Sequence, residues 1–123
     1  MIRVLVADDN PEGRELLREV LESEDCQVLE AADGMEALDR TRLYLPDVVL
    51  LDIQMPVMDG FSVLDQLRQD PRCATLPVAA VTAYAMRGDR ERGLAAGFDD
   101  YITKPIHPAS LRNSIERLLV RKP

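Results

Sequence analysis

VVLLDIQMPVMDG, residues 48–60, decides the fold. Val48 to Leu51 form a short, unbroken apolar run of branched side chains, which predicts a strand over 47–52 that is buried on both faces. Asp52 ends the run, and Pro56 and Asp59-Gly60 turn the chain away from it. Strands buried on both faces belong to parallel sheets covered by helices. A carboxylate at the carboxyl end of such a strand faces whatever crevice the sheet opens there.

Reading outward from this stretch, strand and helix patterns alternate. Residues 2–7, 27–31, 77–82 and 100–103 read as the other strands. Asn10-Pro11 is a helix start, a capping side chain followed by proline in the first turn; Leu16, Leu17, Val20 and Leu21 mark one face of that helix. Gly34 opens a second helix with Met35, Leu38 and Leu45 as a looser stripe. Asp59 caps a third, where Phe61, Leu64 and Leu67 share a face. A fourth covers roughly 86–96, holds Gly88 and Gly93 inside it, and stops at Gly97. A fifth follows Pro108, with Leu111, Ile115, Leu118 and Leu119 facing inward. The implied fold is α/β and flavodoxin-like: a doubly wound five-stranded parallel sheet of order 2-1-3-4-5, flanked by five helices. Right-handed crossovers put helices one and five on one face and helices two, three and four on the other. The ligand crevice of such a sheet lies at the carboxyl ends of strands one and three, where the winding reverses.

Composition narrows the function. The 123 residues suit a single domain over 1–123, with no effector domain among them. No apolar run approaches the ~18 residues of a membrane span, and the first residues read as a strand rather than a signal peptide. A cytoplasmic protein with no membrane partner is therefore expected. A net charge of −7 argues against direct nucleic-acid binding. Lysine is scarce, with only Lys104 and Lys122 beside thirteen arginines. Cys26 and Cys73, far apart and outside any CxxC pattern, read as reduced structural thiols. The lone His107 leaves no imidazole cluster for zinc or for a hydrolase triad.

The strand ends carry the chemistry. Strand one ends in Asp8-Asp9, strand three in Asp52, strand four in Thr82, and strand five runs into Lys104. Strand two, ending in Glu30-Ala31-Ala32, offers little to the same rim. An aspartate after a strand is often only a turn former. Turn preference does not explain three acids at the switch point, where close carboxylates repel by roughly 4 kcal/mol per pair at an effective dielectric near 20. A cation compensates such a cluster, and an all-oxygen set with room for a phosphate suits Mg²⁺, with Mn²⁺ as a substitute. Ca²⁺ is the runner-up, which would want the dense acidic spacing of an EF-hand loop. Asp52 is then the candidate nucleophile toward phosphorus, giving an acyl phosphate. Lys104 supplies a compact countercharge, and Thr82 a hydroxyl for a phosphoryl oxygen.

Asp8-Asp9, LLDIQMPVMDG around Asp52, AAVTAY around Thr82 and FDDYITKPI around Lys104 together resemble the receiver (CheY-like) domain of two-component response regulators. The resemblance runs over essentially the whole chain, with the motifs in order. It implies that Asp52 is the phosphoacceptor, served by a histidine kinase or a histidine phosphotransfer protein in a phosphorelay. It implies Mg²⁺ bound directly by Asp9, mainly through water by Asp8, and by Asp52 and the backbone carbonyl of Gln54. Lys104 would pair with the phosphoryl group, and the Lys104-Pro105 bond would be cis. Tyr101 would be an aromatic switch that swings inward as Thr82 moves. Gln54 and Tyr84 occupy positions associated with dephosphorylation rate. The readout surface would be the fourth helix, fifth strand and fifth helix, including Arg87, Arg90, Tyr101, Arg112 and Arg117, and would bind a downstream protein target. The face around helix one is where phosphodonors dock in relatives. A monomer or weak homodimer is expected, acting only on its own phosphorylation and dephosphorylation rather than as an enzyme on other substrates.

Other readings share parts of this set. A haloacid-dehalogenase-like phosphoaspartyl phosphatase also has a strand-end Asp, Mg²⁺ and Lys, but usually a second Asp two residues on, where this chain has Gln54. A flavin or nucleotide binder would want a phosphate-cradling loop or an aromatic stack. A non-phosphorylated pseudo-receiver scaffold would not need the complete acid, Thr and Lys set. Finally, interior glycine costs roughly 1 kcal/mol against alanine, so helix four is expected to be the element of lowest stability.

Overall fold

Strand and helix alternate throughout the computed structural model, which describes residues 1–83 and 86–120. The elements are β1 (Arg3–Ala7), α1 (Pro11–Ser23), β2 (Gln27–Ala31), α2 (Gly34–Tyr44), β3 (Val48–Leu51), α3 (Gly60–Gln69), β4 (Val78–Thr82), α4 (Asp89–Ala96), β5 (Asp100–Thr103) and α5 (Pro108–Val120). All five strands are parallel, in the order β2-β1-β3-β4-β5.

The period-two alternation of β3 builds both halves of the core. Val48 and Leu50 point to the face covered by α1 and α5, among Leu17, Leu21, Leu111, Ile115 and Leu118. Val49 and Leu51 point to the other face, with Leu38 of α2, Leu64 and Leu67 of α3, and Phe98. All four residues of β3 are buried, and each such side chain contributes about 2 kcal/mol. The helices begin where side chains can accept from free backbone N–H groups. Asn10 caps α1 through Glu12 and Gly13, Asp33 caps α2 through Glu36, and Asp59 caps α3 through Ser62.

Several sequence expectations need correction. Leu16, Met35 and Phe61 are exposed rather than buried, because a helix lying on a sheet buries only a narrow stripe. Leu45 is exposed because it lies past the end of α2 as its left-handed C-cap. The fourth helix starts at Asp89, so Met86 lies outside it. Gly88 is not interior: it is the N-cap at φ 91°, a left-handed conformation that glycine adopts without a Cβ penalty. Gly93 does lie inside α4 and is buried.

Candidate functional site

The sheet register brings the acids together. Ala7 of β1 pairs with Leu51 of β3, so Asp8 and Asp52 each stand one residue beyond neighbouring strands. The ladder continues for one more bond, from the Asp52 N–H to the Ala7 carbonyl at 2.9 Å, and the Asp8 N–H reaches the Ala31 carbonyl at 3.1 Å. On the other side Thr82 pairs with Thr103, and the Lys104 N–H donates to the Thr82 carbonyl at 2.9 Å. The Lys104-Pro105 peptide bond is cis. Asp8, Asp9, Asp52, Gln54, Thr82 and Lys104 consequently line one open cleft of about 380 Å³, with Asn10, Met55, Pro56 and Ala83 completing its rim.

Within the cleft, carboxylate oxygens of Asp8, Asp9 and Asp52 lie within 4.8 Å of one another. Asp8 and Asp52 are buried and Asp9 is exposed. The Lys104 ammonium bridges the buried pair, 2.7 Å from Asp8 Oδ2 and 3.0 Å from Asp52 Oδ2. Burial pulls the Lys104 ammonium down, but hydrogen bonds and charge from Asp8 and Asp52 outweigh it and hold its pKa above the ordinary value. The remaining oxygens are also engaged: Asp8 Oδ1 accepts from the Asn10 N–H at 2.9 Å, and Asp52 Oδ1 from the Gln54 N–H at 3.2 Å. The Lys104 ammonium pairs with two of the three clustered carboxylates, which leaves a set of hard oxygen donors with negative charge to spare. That donor chemistry fits Mg²⁺ and offers zinc neither imidazole nor thiolate. Burial raises the pKa of both Cys26 and Cys73, in keeping with unreactive thiols.

Tyr101 stands apart from the cleft. It is 4% exposed, turned in against α4, where its ring packs on Gly93. It belongs to the core in this arrangement, so the expectation of an exposed Tyr101 side chain is corrected. Tyr84 lies outside the described residues. Arg90 and Arg117 remain at the surface formed by α4, β5 and α5, and both face Asp100, at 3.6 Å and 3.2 Å.

One contributor was not evident in the sequence. Glu30, at the end of β2, does not face the cleft, yet its carboxylate pairs with Arg14 of α1, whose guanidinium donates to the Asp8 carbonyl at 2.7 Å. The available signal was a charged residue following the apolar pair Val28-Leu29 within the strand.

A doubly wound parallel sheet of order 2-1-3-4-5 with its cleft at the switch point defines the class of flavodoxin-like α/β domains. Within that class the chain belongs to the response regulator receiver domain family, whose model matches residues 4–116. It is 44% identical over 109 residues to the response regulator PleD of Caulobacter vibrioides, covering 89% of this chain but only 24% of that protein. It is 40% identical over 103 residues to the polar-differentiation response regulator DivK of Brucella anthropi, covering 84% of each. Among solved structures it resembles the receiver domain of the sensor histidine kinase PA1611 from Pseudomonas aeruginosa, in which a magnesium ion is coordinated in the active site cleft. That similarity has a TM-score of 0.90 at 33% identity and covers 97% of this chain and 98% of that one. None of the described helices is long and apolar enough to cross a membrane.

Proposed function

We propose that this chain is a phosphorylation-controlled switch with Asp52 as its phosphoacceptor. The observation that supports it best is the seat of Asp52. Its carboxylate sits at the end of a fully buried strand, 3.0 Å from the Lys104 ammonium and beside two further acids.

A histidine kinase or histidine phosphotransfer protein presents a phosphohistidine to the cleft. A carboxylate oxygen of Asp52 attacks phosphorus; the new P–O bond forms as the P–N bond breaks, and its electron pair stays on the imidazole nitrogen. The rigid β3 backbone holds the nucleophile in place, so little motion is needed at the moment of transfer. Lys104 turns from the free carboxylates to a phosphoryl oxygen, and the Thr82 hydroxyl donates to another. Asp8, Asp9, Asp52 and the Gln54 carbonyl would hold Mg²⁺ or Mn²⁺, which when bound would offset the added charge of about −1.5 to −2. Water later attacks phosphorus and breaks its bond to Asp52, releasing inorganic phosphate and the free carboxylate at a rate influenced by the Gln54 and Tyr84 side chains. The protein thus acts catalytically only on its own acyl phosphate.

The switch runs from Thr82 through α4 to Tyr101, whose ring packs on Gly93. Phosphorylation shifts the population of α4–β5–α5 arrangements, and a downstream protein reads Arg87, Arg90, Arg112 and Arg117 on that cytoplasmic surface. The test is intact mass after incubation with acetyl phosphate, with and without Mg²⁺, on the wild type and on Asp52→Asn. One labile phosphoryl group should appear in the wild type with Mg²⁺ and be absent from the variant. Equal labelling of both proteins would remove Asp52 from the mechanism.

A further inference from the structure

We infer that Arg14 is a positioning residue for the acid pair Asp8-Asp9, and that Glu30 holds it in place. The inference rests on the proposed metal site. The Asp8 carbonyl belongs to the peptide plane between the two acids, so its orientation sets the direction in which both carboxylates leave the backbone. Strand pairing does not extend that far: β1 pairs with β2 through Ala7 and Ala31, and the last bond is made by the Asp8 N–H. The Asp8 carbonyl is met instead by Arg14 Nη1 at 2.7 Å. Arg14 Nε is fixed in turn by Glu30 Oε1 at 3.0 Å, and Glu30 Oε2 is held by Arg18 Nη1 at 2.9 Å. Arg40 also donates to the Glu30 backbone carbonyl. Two helices thus brace the end of β2, and the guanidinium fork carries that bracing to the acid turn. Such a fork holds two partners at fixed geometry, which an ammonium on a flexible stem does not. Close by, Gly13 gives Asp8 room, since a Cβ there would lie 3.1 Å from Asp8 Oδ2.

Charge and positioning predict opposite signs. By charge alone, removing a guanidinium beside an acidic cleft strengthens cation binding. If Arg14 orients the acids, removing it weakens binding, as loss of groups that orient metal ligands does elsewhere.

The test is calorimetric titration of the unphosphorylated chain with Mg²⁺, for the wild type, Arg14→Met and Arg14→Lys. Arg14→Met should bind about tenfold more weakly. Arg14→Lys should fall between it and the wild type, although its charge equals that of the wild type. With acetyl phosphate, the Mg²⁺ concentration for half-maximal labelling should rise by the same factor, while the maximal rate changes by less than about twofold. If Arg14→Met binds Mg²⁺ as tightly as the wild type or more tightly, the positioning role is wrong. Should Arg14→Met fail to fold, Arg14→Lys decides alone: affinity equal to the wild type overturns the inference. A wild type that binds no Mg²⁺ overturns the metal site itself, and the inference with it.

Discussion

Gly93 of α4 lies directly against the ring of Tyr101 on β5: a Cβ at position 93 would stand 2.5 Å from Cδ2 and 2.8 Å from Cε2. The inward position of Tyr101 therefore depends on the absence of a side chain eight positions earlier. An interior glycine costs α4 roughly 1 kcal/mol in propensity, and the ring that fills the space explains why it is there. Gly93→Ala should lower stability by about 1–3 kcal/mol, because overpacking outweighs the helix gain. In a Tyr101→Ala background the same change should stabilise by up to about 1 kcal/mol. Urea unfolding of the four proteins checks the reversal. Equal effects in both backgrounds would mean that the two residues are not coupled.

Lys104 is the countercharge of the cleft, 2.7 Å from Asp8 and 3.0 Å from Asp52. Lys104→Met leaves two buried carboxylates facing one another and should cost about 3 kcal/mol without a divalent ion. Mg²⁺ should restore much of this, so its thermal shift should be larger for the variant than for the wild type. Thermal denaturation with and without Mg²⁺ measures both shifts.

Asp100 supplies the pH dependence. Burial pushes its carboxyl up, but hydrogen bonds from the Tyr101 N–H, Ser114 and Arg117 outweigh this and hold its pKa below the ordinary value. Its folded pKa thus lies below its unfolded one of about 4, so its contribution is complete above that pH and fades as the pH falls through the folded value. Asp100→Asn should cost about 2 kcal/mol at neutral pH and less in acid. Urea unfolding at pH 7 and pH 3 gives the comparison, and an equal cost at both values would contradict it.

The eight-residue α4 buries only Asp89 and Gly93 and has no side-chain cap at Gly88. Its amides should exchange with deuterium at least about tenfold faster than those of β3. Protection equal to that of Val48 to Leu51 would remove α4 as the readily biased element.

Much of this was legible in the sequence because its signals are local. Val48 to Leu51 have no polar residue to face water, and Asp52 after them fixes the end of the strand. Asn10-Pro11, Asp33 and Asp59 announce their helices by cap chemistry. What was hidden depends on partners distant in the chain. Gly88 and Gly93 look alike in MRGDRERGLAAG, and only the ring of Tyr101 and the backbone at φ 91° separate an interior glycine from a cap. Leu16 and Phe61 fit an apolar periodicity, yet the width of the buried stripe is set by the sheet beneath. Glu30 offers nothing to the cleft directly, and its link through Arg14 is hidden in the sequence because Arg14 lies on another element.

The most direct measurement is borohydride reduction of the acetyl phosphate-treated, Mg²⁺-loaded protein, followed by peptide mass mapping. Reduction converts an aspartyl phosphate to homoserine and leaves free carboxylates unchanged. Homoserine in place of Asp52, and at no other aspartate, is the predicted result. Homoserine at Asp8, Asp9 or Asp59, or at no position in a protein that binds Mg²⁺, would contradict the account.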